Sequence, residues 1–385
     1  MMEQSTILLT ADLLLEGIDL SARRGWGVAV QGDMIADIGP EAEVAARFPH
    51  AIREDFRNCC IMPGLIDCHN HLSWDCSIPD YPAKATATEA ELAVIGMRNM
   101  MRDLKSGVTT SRYVGDKHFI DVLFRRLRKE GILTGPKMLV SGIGLRSGAG
   151  HGYVGMPFDG AEDIIKAVRA NVIKNVDWIK FYATGTAPKG GKILSYYTKE
   201  EVNVIVDIAH RAGLPVTTHC IGGQGLLDAI ECGVDCLEHV YFISDEELAK
   251  VQDAGVWVCL TVSEFLTDKP MMPDSMRPPL AERKQVRAHM ERVIKSRVPY
   301  ILGTDGMHGD LAMEAVYIVD MGASVQDALQ ALTVKAAKFL KIDGETGSLT
   351  KGKRADLLVA EGDILCDISS LKRVRSVYQD GVKVV

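Results

Sequence analysis

Short β-branched runs alternate with amphipathic helical stretches from about residue 61 to 340, and this alternation constrains the chain more than any other feature. The strand candidates are 61–68, 108–112, 137–141, 177–183, 215–218, 235–238, 256–261 and 299–304. The helix assignments rest on chemistry. Thr198 with Glu201 makes a capping box, Val202, Ile205, Val206 and Ala209 form a helical stripe, and Gly213 supplies the stop. Ser244, Glu247 and Gly255 repeat that grammar, and the stripe of Met97, Met100, Met101 and Leu104 reads as core filler. Eight strands with intervening helices over roughly 280 residues fit an α/β chain folded as a (β/α)8 barrel better than a doubly wound sheet.

The flanks read differently. Residues 27–39 look like two short strands around Gly32-Asp33, and residues 374–385 like a hairpin closed by Asp380-Gly381. The expected organisation is therefore a composite β-sandwich domain from residues 1–60 and 346–385 around a barrel of residues 61–345. Two loops that follow barrel strands belong at the catalytic mouth: the glycine-rich 141–155, and 268–279 with Pro270, Pro273, Pro278 and Pro279. Gly142-Ile143-Gly144 lacks the third glycine of a dinucleotide fingerprint.

Charge narrows the partners. With 44 basic and 51 acidic residues the net charge is −7, and no basic cluster exceeds residues 125–129, so there is no footprint for nucleic acid or an anionic membrane. No apolar run reaches the ~18 residues of a membrane span, and residues 1–15 lack the features of a secretory signal. Nine cysteines without a C-x-x-C pair suggest reduced thiols and a cytoplasmic protein. The expected partner is a small molecule, and the expected assembly a homo-oligomer.

His69 and His71 flank Asn70 at the end of the first strand, where a two-residue period points both imidazoles to one face. Such a pair suits a borderline metal such as zinc. His219 ends the fifth strand, His239 the sixth and Asp305 the eighth, so four imidazoles and a carboxylate converge on one rim of the barrel. Lys180 shares a strand face with Trp178 and Tyr182, opposite Ile179 and Phe181, and is expected to point into the barrel. A buried ammonium beside dications is costly, so this lysine should be neutral or converted by CO2 to an anionic carbamate able to bridge metals.

Together these residues resemble the amidohydrolase superfamily, most closely its branch of imidazolonepropionase-related, metal-dependent dipeptidases and carboxypeptidases of the Xaa-Pro and Xaa-Arg type. The resemblance spans nearly the whole chain. It rests on residues 63–72 (PGLIDCHNHL), 179–185 (IKFYATG), Thr218-His219, Leu237-Glu238-His239, Gly303-Thr304-Asp305 and 352–357 (GKRADL). It implies a distorted barrel and a binuclear site, usually zinc, with His69, His71 and Asp305 on one ion, His219 and His239 on the other, and carboxylated Lys180 between them. It also implies that His151 polarises the substrate carbonyl, and that Tyr197, or equally Tyr196, meets the substrate carboxylate.

The sequence departs from the dipeptidases at Gly152-Tyr153, where Gly-Asp is frequent, and at Gly306-Met307-His308, where Ala-Gly follows the aspartate. Both departures lie near the substrate and leave the metal set intact. His308 reads as an exposed loop histidine, with substrate contact as the alternative. The implied reaction is hydrolysis of an amide C–N bond, in a dipeptide or N-acyl amino acid, by water that two metals activate while Asp305 shuttles the proton. Cyclic amides and urea or carbamate compounds are the alternative substrates. A deaminase is disfavoured because Gly222 stands where its glutamate belongs, and a non-catalytic barrel because no ligand is missing.

Overall fold

The computed structural model describes residues 5–78, 86–267 and 278–385. Its central strands are β1 (Leu65–Asn70), β2 (Val108–Tyr113), β3 (Lys137–Val140), β4 (Ile179–Tyr182), β5 (Val216–Cys220), β6 (Cys236–His239), β7 (Trp257–Leu260) and β8 (Tyr300–Leu302). All the pairings among them are parallel, in one ladder β1-β2-β3 and another β4-β5-β6-β7-β8. Backbone hydrogen bonds cross both seams between the ladders. Asp177 and Trp178 donate to the Val140 carbonyl at 2.8 and 3.3 Å, and Thr304 and Asp305 donate to the His69 carbonyl at 3.0 and 2.9 Å. The ring is thus a distorted barrel, irregular where β3 meets β4 and where β8 meets β1.

Strand alternation sorts the core into layers. Ile179 and Phe181 pack outward with the helices, while Trp178 joins Ile66, Cys68, Cys236, Cys259 and Ile301 against Phe339 of the helix Val334–Phe339. The capping boxes at Thr198/Glu201 and Ser244/Glu247 both form, and Gly255, at φ +66°, ends the helix Asp245–Ala254. Among the described residues no helix is long and apolar enough to cross a membrane.

Both termini build one sheet. Its strands run in the order Val382–Lys383, Val374–Gln379, Leu357–Glu361, Ile52–Pro63, Thr6–Glu16, Trp26–Gln31 and Met34–Pro40, with Ser21–Arg23 beside Thr6–Glu16. The expected strand at 61–68 is therefore two strands, because Ile61, Met62 and Pro63 pair with Leu357–Val359 and only Leu65–Asn70 enters the barrel. Gly64 separates them at a point of close approach, where a Cβ would lie 2.2 Å from Oγ1 of Thr109. Of the expected loop 268–279, residues 268–277 lie outside the described residues.

Candidate active site

The C-terminal ends of the barrel strands enclose a cavity of about 530 Å³. His69, His71, Lys180, His219, His239 and Asp305 all line it, joined by His151 and Tyr196. Asp305 is the hub, its Oδ1 3.2 Å from His69 Nε2 and 3.4 Å from His71 Nε2, and its Oδ2 3.9 Å from His239 Nε2. His239 and Asp305 both hold left-handed backbone, at φ +78° and +50°, which non-glycine residues adopt at a cost that clusters at functional sites.

Fixed acceptors orient the rings. His69 Nδ1 lies 2.6 Å from a Glu238 carboxylate oxygen and His71 Nδ1 2.6 Å from the Gly115 carbonyl, so each Nδ1 donates outward and each Nε2 is turned toward Asp305. His239 Nδ1 meets the Thr261 hydroxyl at 2.7 Å, and His219 Nε2 the Gly185 carbonyl at 3.2 Å. Burial pushes the pKa of His219 and of His239 well below the ordinary imidazole value, so both rings are neutral. Burial alone would raise the Asp305 carboxyl, but the surrounding imidazoles, His69 first, hold it well below the usual carboxylate range.

These residues fit a divalent ion. The buried His69 Nε2 has no hydrogen-bond partner, and donor atoms of His69, His239 and Asp305 lie within 4.8 Å of one another. Imidazole nitrogens and a carboxylate gathered this closely are the donor set that a borderline divalent ion takes. The buried Lys180 Nζ also has no hydrogen-bond partner, and burial lowers its pKa. His69, Glu238 and Cys259 also sit close enough to ligate. There, however, the Glu238 oxygens are already taken by His69, Arg112 and the Thr217 hydroxyl.

His151, on the loop after β3, has its ring 4.6 Å from that of His219 and edge-on to Tyr182. Burial lowers its pKa to about 4, leaving a neutral imidazole at neutral pH. The glycine-rich loop carrying it has a packing reason, because a Cβ at Gly144 or Gly152 would press on the Tyr182 ring and one at Gly155 would run into the Gly144 carbonyl.

Two expected substrate contacts are corrected. Tyr197 is buried, packs on Phe181 and donates its hydroxyl to the Phe158 carbonyl at 2.9 Å, so of the two adjacent tyrosines only Tyr196 reaches the cavity. Tyr197→Phe is expected to lose about 1 kcal/mol of stability in urea unfolding, with KM unchanged; a raised KM would return it to the binding site. His308 is buried, not exposed, with Nδ1 2.8 Å from Asp103 and Nε2 2.9 Å from the Trp74 carbonyl, and does not line the cavity.

Sequence reasoning passed over Tyr241 and Glu264, which line the cavity, and the buried pair Arg112–Glu238 behind His69. The available signal was a charged residue inside each of two barrel strands, Arg112 in Val108–Tyr113 and Glu238 in Cys236–His239, which in a core requires a partner.

The sequence matches the amidohydrolase family over residues 60–384, and the chain belongs to that family. Residues 27–51 match the imidazolonepropionase-like composite domain of bacteria. Ochratoxinase of Aspergillus niger is 25% identical over an alignment of 412 residues, covering 97% of this chain and 85% of the relative. A solved Xaa-Pro dipeptidase with bound methionine in its active site superposes with a TM-score of 0.82 at 25% identity, covering 98% of this chain and 99% of that one. A putative prolidase from Bifidobacterium longum gives 0.82 at 26% identity, covering 99% and 94%. The protein is a hydrolase of the amidohydrolase superfamily.

Proposed function

We propose that the protein hydrolyses the amide C–N bond of a small dipeptide or N-acyl amino acid. In this reading His69, His71 and Asp305 would hold one divalent ion, most simply zinc, His219 and His239 would hold a second, and Lys180, as its CO2-derived carbamate, would be a ligand common to both. The observation that carries it is the buried Lys180 amine, without a hydrogen-bond partner, in a cavity shared with neutral imidazoles. Once bound, the ions supply Lewis acidity and activate water near neutral pH. Asp305, ionised and central, accepts the proton of the attacking water and returns it to the leaving nitrogen, which an amide requires because its anion leaves poorly. Neutral His151 donates a hydrogen bond to the substrate carbonyl oxygen, and the Tyr196 hydroxyl faces the substrate carboxylate. The cavity suits a ligand of dipeptide size.

Metal stoichiometry tests this reading. Protein prepared without chelator and with bicarbonate should carry about two ions per chain, and Lys180→Ala should lose at least one of them. One ion or none in the wild type would remove the carbamate bridge. A screen of dipeptides, N-acyl amino acids, ureas and lactams then identifies the substrate. The composite-domain match at residues 27–51 favours a cyclic amide as the second reading, and the lactam arm tests it. None of the nine cysteines is in a disulfide, and seven are buried, which supports a reducing, cytoplasmic setting.

A further inference from the structure

Two buried carboxylates behind the cavity hold the turn after β8 against the segment that carries His69 and His71, and the proposed chemistry uses neither. Asp67, on β1, accepts from the His69 amide at 3.1 Å, from the Thr304 amide at 3.2 Å and from the Thr304 hydroxyl at 2.6 Å. Asp103, near the end of the helix Glu89–Lys105, engages both of its oxygens. Its Oδ1 accepts from the Gly309 amide at 2.9 Å, and its Oδ2 from Asn70 Nδ2 at 3.0 Å and from His308 Nδ1 at 2.8 Å. Asn70 stands between the two histidines, and its own Oδ1 accepts from the His71 amide at 2.9 Å. One carboxylate thus grips the His69-Asn70-His71 segment and, through His308 and Gly309, the turn that begins at Asp305.

The His308 ring carries both of its protons. Nδ1 faces the Asp103 carboxylate and Nε2 the Trp74 carbonyl at 2.9 Å, and each of these groups only accepts. A neutral imidazole donates from one nitrogen, so the two contacts together require the imidazolium. Burial alone would lower the His308 pKa, but Asp103, and then Asp75, outweigh it. Arg102 draws the same two turns together, donating to Asp75 at 2.9 Å and to the His308 carbonyl at 2.9 Å. The turns meet at Gly306. At φ +84° it comes so near that a Cβ would lie 2.6 Å from the Trp74 indole, and its carbonyl accepts from the Cys76 amide at 3.2 Å. The departure at Gly306-Met307-His308 is therefore a tight turn closed by a buried ion pair. Neither Asp103 nor His308 lines the cavity.

We propose that Asp103 and His308 are positioning residues for the ligand set of one metal ion: their ion pair sets the separation of His71 from Asp305, and through it the affinity for the ion, without touching ion or substrate. This rests on the reading that His69, His71 and Asp305 hold a divalent ion. It goes beyond that reading by placing control of the site in a pair of side chains outside the cavity.

Two replacements of His308 divide its contacts. In His308→Asn the amide nitrogen takes the place of Nδ1 and keeps the bond to Asp103; in His308→Gln it takes the place of Nε2 and keeps only the bond to Trp74. Both remove the buried charge, so both should lose stability in urea unfolding. Chelator competition for zinc on the folded chain should separate them. His308→Gln should weaken the binding of at least one ion by about tenfold or more, while His308→Asn stays near the wild-type value. Asp103→Asn should follow the glutamine variant, because an amide accepts through one oxygen and must release part of its grip. Wild-type affinity in His308→Gln overturns the proposal, and so does an equal loss in both histidine variants, which would lay the effect on the charge or the packing of the ring. Should Asp103→Asn fail to fold, the histidine pair decides. If the wild type itself binds no ion, the metal-site reading has failed and the proposal falls with it, whereas unaltered affinity in the variants of a loaded wild type sinks the proposal alone.

Discussion

Exchanging Asp305 for asparagine is expected to lower turnover by about 10²- to 10⁴-fold, the range that a positioned acid–base group contributes, while the fold survives. Asparagine is the informative choice. It keeps the shape of the side chain, and it tolerates the left-handed backbone at φ +50° better than alanine does. The Asp305 amide can still donate to the His69 carbonyl at 2.9 Å, so the seam between β8 and β1 stays closed. What disappears is the negative charge within 4 Å of three imidazole nitrogens and with it the proton acceptor. Metal content must be measured alongside kcat. Lost turnover at full loading assigns proton transfer to Asp305, whereas loss in proportion to the metal assigns it to holding the ion alone. Turnover near the wild-type value at equal loading would sink both roles.

The contrast between legible and hidden features has a physical origin. The βα alternation could be read because periodicity is local, and the barrel then brings residues 69, 71, 180, 219, 239 and 305 to one rim by topology alone. The division at Gly64 was hidden because residues 61–63 and 65–68 are equally buried and extended, and what separates them is the approach of Thr109. Tyr196 and Tyr197 could not be told apart because neighbours in an extended segment face opposite ways. The bridge between Thr184 and Ser195 and the bond to Phe158 set which one turns inward. His308 looked exposed because its partner, Asp103, is 205 residues away in the chain. Long-range polar pairs leave no period in a sequence, and most of what surrounds the candidate ligands is of that kind.

Glu238 is the clearest example, and replacing it by glutamine is expected to have two separable effects. Its carboxylate accepts from His69 Nδ1 at 2.6 Å, from Arg112 at 2.7 Å and from the Thr217 hydroxyl, all fully buried. Burial alone would raise its pKa, yet Arg112 and His69 outweigh burial and hold it well below the usual range. The stabilisation is therefore complete above the unfolded carboxylate value of about 4.3 and is lost only as pH falls toward the lower folded value, so mild acid will not mimic the variant. Glutamine leaves the Arg112 guanidinium buried without a counter-ion between the Trp178 and Phe339 rings, which should cost about 3–5 kcal/mol in urea unfolding. It also removes the charge that orients His69, which should weaken metal binding by about 10- to 100-fold in chelator competition. A second change separates the two effects. Adding Arg112→Met should recover much of the stability, because the orphaned charge is gone, but none of the metal affinity, because His69 still lacks its carboxylate. Wild-type affinity in the single variant, or affinity restored together with stability in the double, would show that Glu238 serves the fold and not the site.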